Sequence, residues 1–155
     1  MDARRESLAT QNQKIADNIQ VHGWHCLHIF PSREGEEKFS YSIGFAESFG
    51  APEVVIFGLE QEKAHALLNE CAVLLKGGHV FQPDVEDGNV LAGGYKVVFK
   101  SIRAERFDDY LGTALRYYQG APFGAMVMFL PDSEHRFPWQ TGYDCISADE
   151  SLSIV

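Results

Sequence analysis

The sequence has no C-x-x-C pair, no excess of positive charge, and no apolar run near the roughly 18 residues of a membrane span. Each absence removes a class of protein. The three cysteines, Cys26, Cys71 and Cys145, are odd in number and far apart. They support neither a disulfide framework nor a zinc knuckle, and a reducing cytoplasm is the expected setting. The opening residues Met1–Glu6 lack an apolar stretch, so no secretory signal is expected. Lys and Arg number 13 against 22 Asp and Glu, a formal net charge of -9. That balance disfavours nucleic acid and anionic membrane, whose phosphates it would repel. It suits a basic protein partner, whose encounter it would speed.

Sequence signatures of common enzymes are also missing. There is no G-x-G-x-x-G, no G-x-x-x-x-G-K-[ST], no H-E-x-x-H and no G-x-S-x-G. No catalytic residue is therefore readable by motif.

What is present is a globular pattern. With 45% hydrophobic residues and 12% aromatic, 155 residues can bury a core as one domain. Leu8, Ile15 and Ile19 share a helical face over residues 8–22, ended by Gly23. Trp24–Phe30 reads as a strand. Phe39–Phe45 alternates strictly, with Phe39, Tyr41 and Ile43 on one face and Ser40, Ser42 and Gly44 on the other. Val54–Phe57 is a continuous apolar run, suited to a strand buried on both faces. Glu60–Lys76 places Ala64, Leu67, Leu68, Cys71, Leu74 and Leu75 on one helical stripe. Asn89–Leu91 and Tyr95–Ile102 read as a hairpin through Gly93-Gly94. Arg103–Gln119 reads as one amphipathic helix, and Gly124–Leu130 as a last buried strand. The tail from about residue 144 is expected to be irregular. These elements predict an α+β domain: a mixed or mainly antiparallel bent sheet, barrel-like at the extreme, with about three helices packed on it.

Several clusters invite chemistry. His22, His25 and His28 are close in sequence, but odd spacing in a strand turns His25 and His28 to opposite faces, so no metal site is expected. Asp84, Glu86, Asp87 and Gly88 lack the spacing of a calcium loop. Cys145 and His135 carry no sign of proximity. Two regions remain. The small-residue face Ser40, Ser42 and Gly44 either faces solvent or admits the close approach of a ligand. The loop Pro131–Tyr143 is rich in aromatics, which either plug the sheet end or line a pocket. The candidate ligand-binding residues are accordingly Tyr41, Ser42, Gly44, Asp132, His135, Arg136, Phe137, Trp139 and Tyr143.

Those segments also carry a resemblance. Gly23-Trp24, Tyr41-Ser42-Ile43-Gly44, Pro52–Leu59, Pro131-Asp132, Phe137-Pro138-Trp139 and Tyr143 together resemble a bacterial family, domain of unknown function 4262. The resemblance spans roughly residues 15–143. It implies a bacterial cytosolic domain and carries no assigned activity.

Three functional readings follow. The first is a non-catalytic binding or interaction protein, for a basic partner or a small molecule. The second is a flavin- or nucleotide-binding enzyme, with Ser40, Ser42 and Gly44 at the phosphate and Phe137 or Trp139 on the ring. The third is a hydrolase or transferase using Asp132 and His135, with Tyr143 as a further candidate.

Overall fold

The computed structural model describes residues 3–155, with side chains from residue 7 onward. Met1 and Asp2, part of the polar opening stretch, lie outside the described residues. The elements run α1 (Ala3–His22), β1 (His25–Ile29), β2 (Phe39–Ile43), α2 (Phe45–Phe49), β3 (Glu53–Phe57), α3 (Gln61–Lys76), β4 (Glu86–Asp87) and β5 (Val97–Ser101). A 3₁₀ turn (Ala104–Arg106) then leads to α4 (Phe107–Tyr110), α5 (Gly112–Tyr118), β6 (Ala125–Phe129) and α6 (Asp149–Ser153). None of these helices is long and apolar enough to cross a membrane.

The fold is mixed α+β. Its six strands form an open sheet in the order β1-β2-β3-β6-β5-β4. Only β3 and β6 pair in parallel; every other neighbour is antiparallel. β3 (EVVIF) and β6 (AMVMF) are buried along their whole length. This accounts for their unbroken apolar character, because helices cover both faces of the central pair. On one face Phe39, Tyr41, Ile43, Val55 and Val127 pack with Ile15 and Ile19 of α1, Leu111, Ala114 and Ile154. On the other, Val54, Ile56, Phe99, Met126 and Met128 pack with α3 through Leu68, Cys71, Ala72 and Leu75, and with Trp24 and Phe45.

The structure corrects the sequence reading at five points. The sheet is open and does not curl into a barrel. The serine face of β2 is not solvent-exposed, since Ser40 and Ser42 lie beneath the α3 layer at 3% and 0% exposure. The hairpin at Gly93-Gly94 is replaced by a long loop, and β5 pairs instead with the short β4, Asp87 opposite Val97. The helix over residues 103–119 is interrupted at Leu111, whose φ of -114° and ψ of 30° leave the helical region. The tail is not wholly irregular: α6 docks, and Ile154 is fully buried. The period-3.6 pattern of 103–119 survives such a break, so periodicity alone could not reveal it.

The turn from β2 into α2 is organised by a single carboxylate. Glu53 heads β3 and is 0% exposed. Its Oε1 accepts from Ser42 Oγ at 2.8 Å and from the Phe45 N–H at 3.0 Å. Its Oε2 accepts from the N–H groups of Gly44 at 3.2 Å and Ala46 at 3.1 Å, and from the Tyr118 hydroxyl. Ser42 Oγ in turn accepts from the Val54 N–H at 3.0 Å. Burial pushes the Glu53 carboxyl up, and the hydrogen bonds from Tyr118, Ala46, Ser42 and Phe45 offset this only in part. The Tyr118 hydroxyl is likewise pushed up by burial and by the adjacent carboxylate. Gly44 has φ of 119°, and a Cβ there would lie 2.9 Å from Gly23 O and from Trp24 Cα. Only glycine fits both the dihedral and the space.

Glu53→Gln presents an amide NH₂ where backbone N–H groups already point, whichever way the amide turns. Leaving a buried donor unpaired costs about 1–3 kcal/mol, so a loss on the order of 3 kcal/mol is expected in urea unfolding. Gly44→Ala is expected to destabilise by more than about 1 kcal/mol, from the strained dihedral and the backbone clash.

Candidate functional site

A cleft of about 760 Å³ opens on the α1/α5 side of the sheet. Its floor is β2, where alternation turns Phe39 and Tyr41 toward the helices. One wall is the 3₁₀ turn, α4 and the start of α5; the other is the β1–β2 loop and α6. The interruption at Leu111 lies between α4 and α5 on the first wall, so Thr113 comes close to the Tyr41 hydroxyl.

Among the described residues, three buried side-chain atoms have no hydrogen-bond partner: Glu37 Oε2, the Tyr41 hydroxyl and Arg106 Nε. All three residues line this one cleft. Tyr41 is 0% exposed. Thr113 and the Ala114 backbone are its polar neighbours, but none reaches hydrogen-bonding geometry. Burial pushes the Tyr41 phenol up, so it stays neutral. Arg106 Nε is 3.4 Å from Asp109 Oδ2, an ion-pair distance without hydrogen-bond alignment, and the guanidinium lies 5.9 Å from the Tyr110 ring centre. Burial pushes the Glu37 carboxyl up; the Ser147 hydroxyl opposes this, while Glu150 and Asp149 add to it. Glu150 Oε2 also accepts the Glu37 N–H at 3.4 Å.

The cleft is acidic. Glu36, Glu37, Asp108, Asp109 and Glu150 line it against Arg33, Arg106 and Arg116. The described residues that line it include no histidine and no cysteine.

Of the sequence-predicted site residues, only Tyr41 lines this cleft. Ser42 and Gly44 are held by Glu53 at the opposite end of β3 from the Pro131–Tyr143 loop. Because β3 and β6 are parallel, that loop leaves the sheet beside Phe57, not beside Glu53. The two halves of the expected site are therefore a strand length apart.

Asp132 is 3% exposed and organises its own loop. Oδ1 accepts from the Glu134 and Arg136 N–H groups at 2.9 and 2.8 Å. Oδ2 accepts from Arg136 Nε at 2.9 Å and the Asp144 N–H at 3.0 Å. Against the burial that would raise it, these bonds hold the carboxyl down at about 2. A carboxylate so saturated has no lone pair free to take a proton from a substrate. His135 stacks on Tyr95 at 4.3 Å, and Tyr143 donates to the Ile146 carbonyl at 3.2 Å. Phe137 is buried and stacks on Trp139 at 5.2 Å, while Lys100 Nζ caps the Trp139 ring at 4.6 Å. Phe137 thus plugs the sheet end. A smaller cleft of about 260 Å³ beside it involves Pro131, His135 and Lys96.

The histidines gather at the β1 edge. His25 Nδ1 accepts from Asn18 Nδ2 at 2.8 Å, and His28 Nδ1 is 2.6 Å from Ser40 Oγ. With His22 and His65 they line a cleft of about 510 Å³. Burial lowers both His25 and His28, and their mutual proximity adds to the His25 shift. Burial pushes the Cys26 thiol to about 12, so it is no nucleophile. No group of three His, Cys, Asp or Glu able to hold a metal forms among the described residues.

Glu37, Arg106, Thr113 and Glu150 were missed in the sequence. They are far apart along the chain and belong to no motif; only the alternation that turns Tyr41 inward pointed toward this face.

The Asp132 carboxyl is depressed from an ordinary 3.8 to about 2, so its contribution to stability is present above the ordinary value and lost as pH falls through the depressed one. Thermal melts of the native chain and Asp132→Asn should differ by a constant gap at neutral pH. That gap should close as the pH drops from about 4 toward 2.

The curated proteins and the solved structures yield no match. The family model "Domain of unknown function (DUF4262)" matches residues 18–144, which include Glu37, Tyr41, Arg106 and Thr113 but not Glu150. That span is most of the chain and covers the Gly23-Trp24, Gly44 and Glu53 junction, the Tyr41 floor and the Asp132 loop: the chain belongs to the DUF4262 family.

Proposed function

We propose that this domain is a non-catalytic binding protein whose ligand enters the Tyr41 cleft. The observation that carries the reading is the convergence of three unpartnered buried polar atoms on one cavity. Leaving each unpaired costs about 1–3 kcal/mol, and a fold rarely keeps such groups together without something to pair them. The volume of about 760 Å³ lies within the range of small-molecule sites. The acidic lining fits a cationic ligand or a side chain of a basic protein partner, in line with the net charge of -9.

The flavin reading has less support. Ser42 is committed to a carboxylate, which would repel a phosphate, and Phe137 is packed inside the core. The hydrolase reading relies on Asp132, whose lone pairs are engaged.

Tyr41→Phe separates stability from function. Removing a buried hydroxyl that has no partner should leave the fold unchanged or more stable by up to about 1 kcal/mol. It should also weaken ligands of the cleft at least tenfold in a small-molecule screen read by ligand-observed NMR. Hits that bind native protein and the variant equally, or a variant clearly less stable than native, would sink the proposal.

A further inference from the structure

The two edges of the sheet differ. Edge strands are as a rule blunted by Lys, Pro, a bulge or brevity, because their open hydrogen-bonding groups pair with any strand that comes near. β4, at one edge, is two residues long. β1, at the other, is five, and His-Cys-Leu-His-Ile contains neither Lys nor Pro. Among the described residues its one strand neighbour is β2.

The ladder shows which of its backbone groups face outward. The Gly58 N–H donates to the Lys38 carbonyl at 2.8 Å, and the Val54 N–H donates to Ser42 Oγ at 3.0 Å. Even-numbered residues of this stretch thus turn toward β3, and alternation turns Phe39, Tyr41 and Ile43 toward β1. These stand opposite Ile29, Leu27 and His25, whose N–H and C=O groups are therefore spent on β2. Cys26 and His28, between them, direct theirs out of the sheet edge.

A cleft of about 510 Å³ lies at this edge, and Cys26 and His28 both line it. α1 packs on one face of the sheet and α3 on the other, and each supplies a wall. Val21 of α1 is 74% exposed and Val73 of α3 is 54% exposed, so each wall offers an apolar rest. An incoming strand alternates its side chains between two faces and would meet one wall with each. The charge of the cleft is opposite to that of the chain. Lys76 and the imidazoles of His22, His25, His28 and His65 line it, and no Asp or Glu does among the described residues, in a chain of net charge -9. Asn18 occupies His25 Nδ1 at 2.8 Å, which leaves Nε2–H as the donor.

We propose that the β1 edge is a docking groove for an extended acidic segment of a partner protein, which adds to the sheet as a further strand. Main-chain bonds to Cys26 and His28 hold it, and its carboxylates meet Lys76 and the imidazoles. A second copy of this chain fits less well: pairing edge to edge would bring two such sets of basic groups together with no carboxylate in either groove. The groove shares no lining residue with the Tyr41 cleft, so the two readings stand apart.

The test uses the full chain and pools of capped peptides of about eight residues, alternating apolar residues with Glu or Asp. Matched pools carry Lys in place of the acids, or are N-methylated throughout. In the free protein the Cys26 and His28 amides should exchange at least tenfold faster than those of Leu27 and Ile29, read by NMR. Members of the acidic pool should bind and slow both amides at least tenfold, while the Lys and N-methylated pools should not bind. The double variant His65→Glu, Lys76→Glu changes two exposed side chains and should melt as native does, yet bind at least tenfold more weakly. Burial and neighbouring imidazoles lower His25 and His28, and incoming carboxylates oppose the second cause. Binding should therefore take up protons and tighten as pH falls from about 8 to about 6, with His22, His65 and Lys76 facing the same groove.

Acidic and Lys pools that bind alike, affinity that is flat or falls as the pH drops, or binding that leaves the Cys26 and His28 amides unprotected would each overturn the proposal. So would binding that survives N-methylation, or no binder in the acidic pool. Protection of those amides that rises with protein concentration, alongside a dimer in sedimentation, would assign the edge to a second copy and overturn it as well.

Discussion

The fold hangs on the buried carboxylate of Glu53. It stands at the first residue of the central strand β3 and gathers donors from β2, from the first turn of α2 and from the end of α5. Backbone N–H groups at a tight turn must find acceptors, and the sheet offers none in that direction. One carboxylate supplies them all, at the expense of being taken out of water. Removing the charge would leave donors facing donors, so the end of β2, the short helix and the α5 end are tied to a single side chain. Gly44 permits the close approach of the Gly23-Trp24 backbone at this turn.

Asp132 applies the same physics at the opposite end of the sheet. Four donors from its own loop saturate both oxygens and draw Pro131–Asp144 into a compact cap, with Phe137 as its plug. Both carboxylates are spent on structure. Glu37 differs, since one of its oxygens is buried and free. A buried acid with every lone pair engaged holds the chain in place, whereas Glu37 keeps one oxygen without a hydrogen-bond partner in the cleft that the Tyr41 hydroxyl and Arg106 also line.

Much of the architecture is legible along the chain. The alternation of Phe39, Tyr41 and Ile43 places the floor of the cleft, and the apolar runs of β3 and β6 mark the doubly covered centre. The stripe Ala64, Leu68, Cys71 and Leu75 marks α3. The candidate site was legible only at Tyr41. Periodicity reports which face a residue takes, but not whether its polar atom finds a partner once there. Ser42 and Asp132 looked available for the same reason: short polar side chains near glycine or proline look alike whether they meet a ligand or their own backbone. The interruption at Leu111 was hidden because a break of one residue leaves the apolar spacing of Phe107, Leu111 and Ala114 intact.

Local pattern therefore determined the elements, their buried faces and the acidic character of the surface, since each depends on residues a few positions apart. Tertiary structure decided the rest. It chose the parallel pairing of β3 with β6, which separates Gly44 from the Pro131–Tyr143 loop by a strand length. It brought Glu37, Arg106 and Glu150 around Tyr41 from distant parts of the chain. Hydrogen bonds are satisfied in space and not along the sequence, so only the folded chain shows which acids complete its own turns.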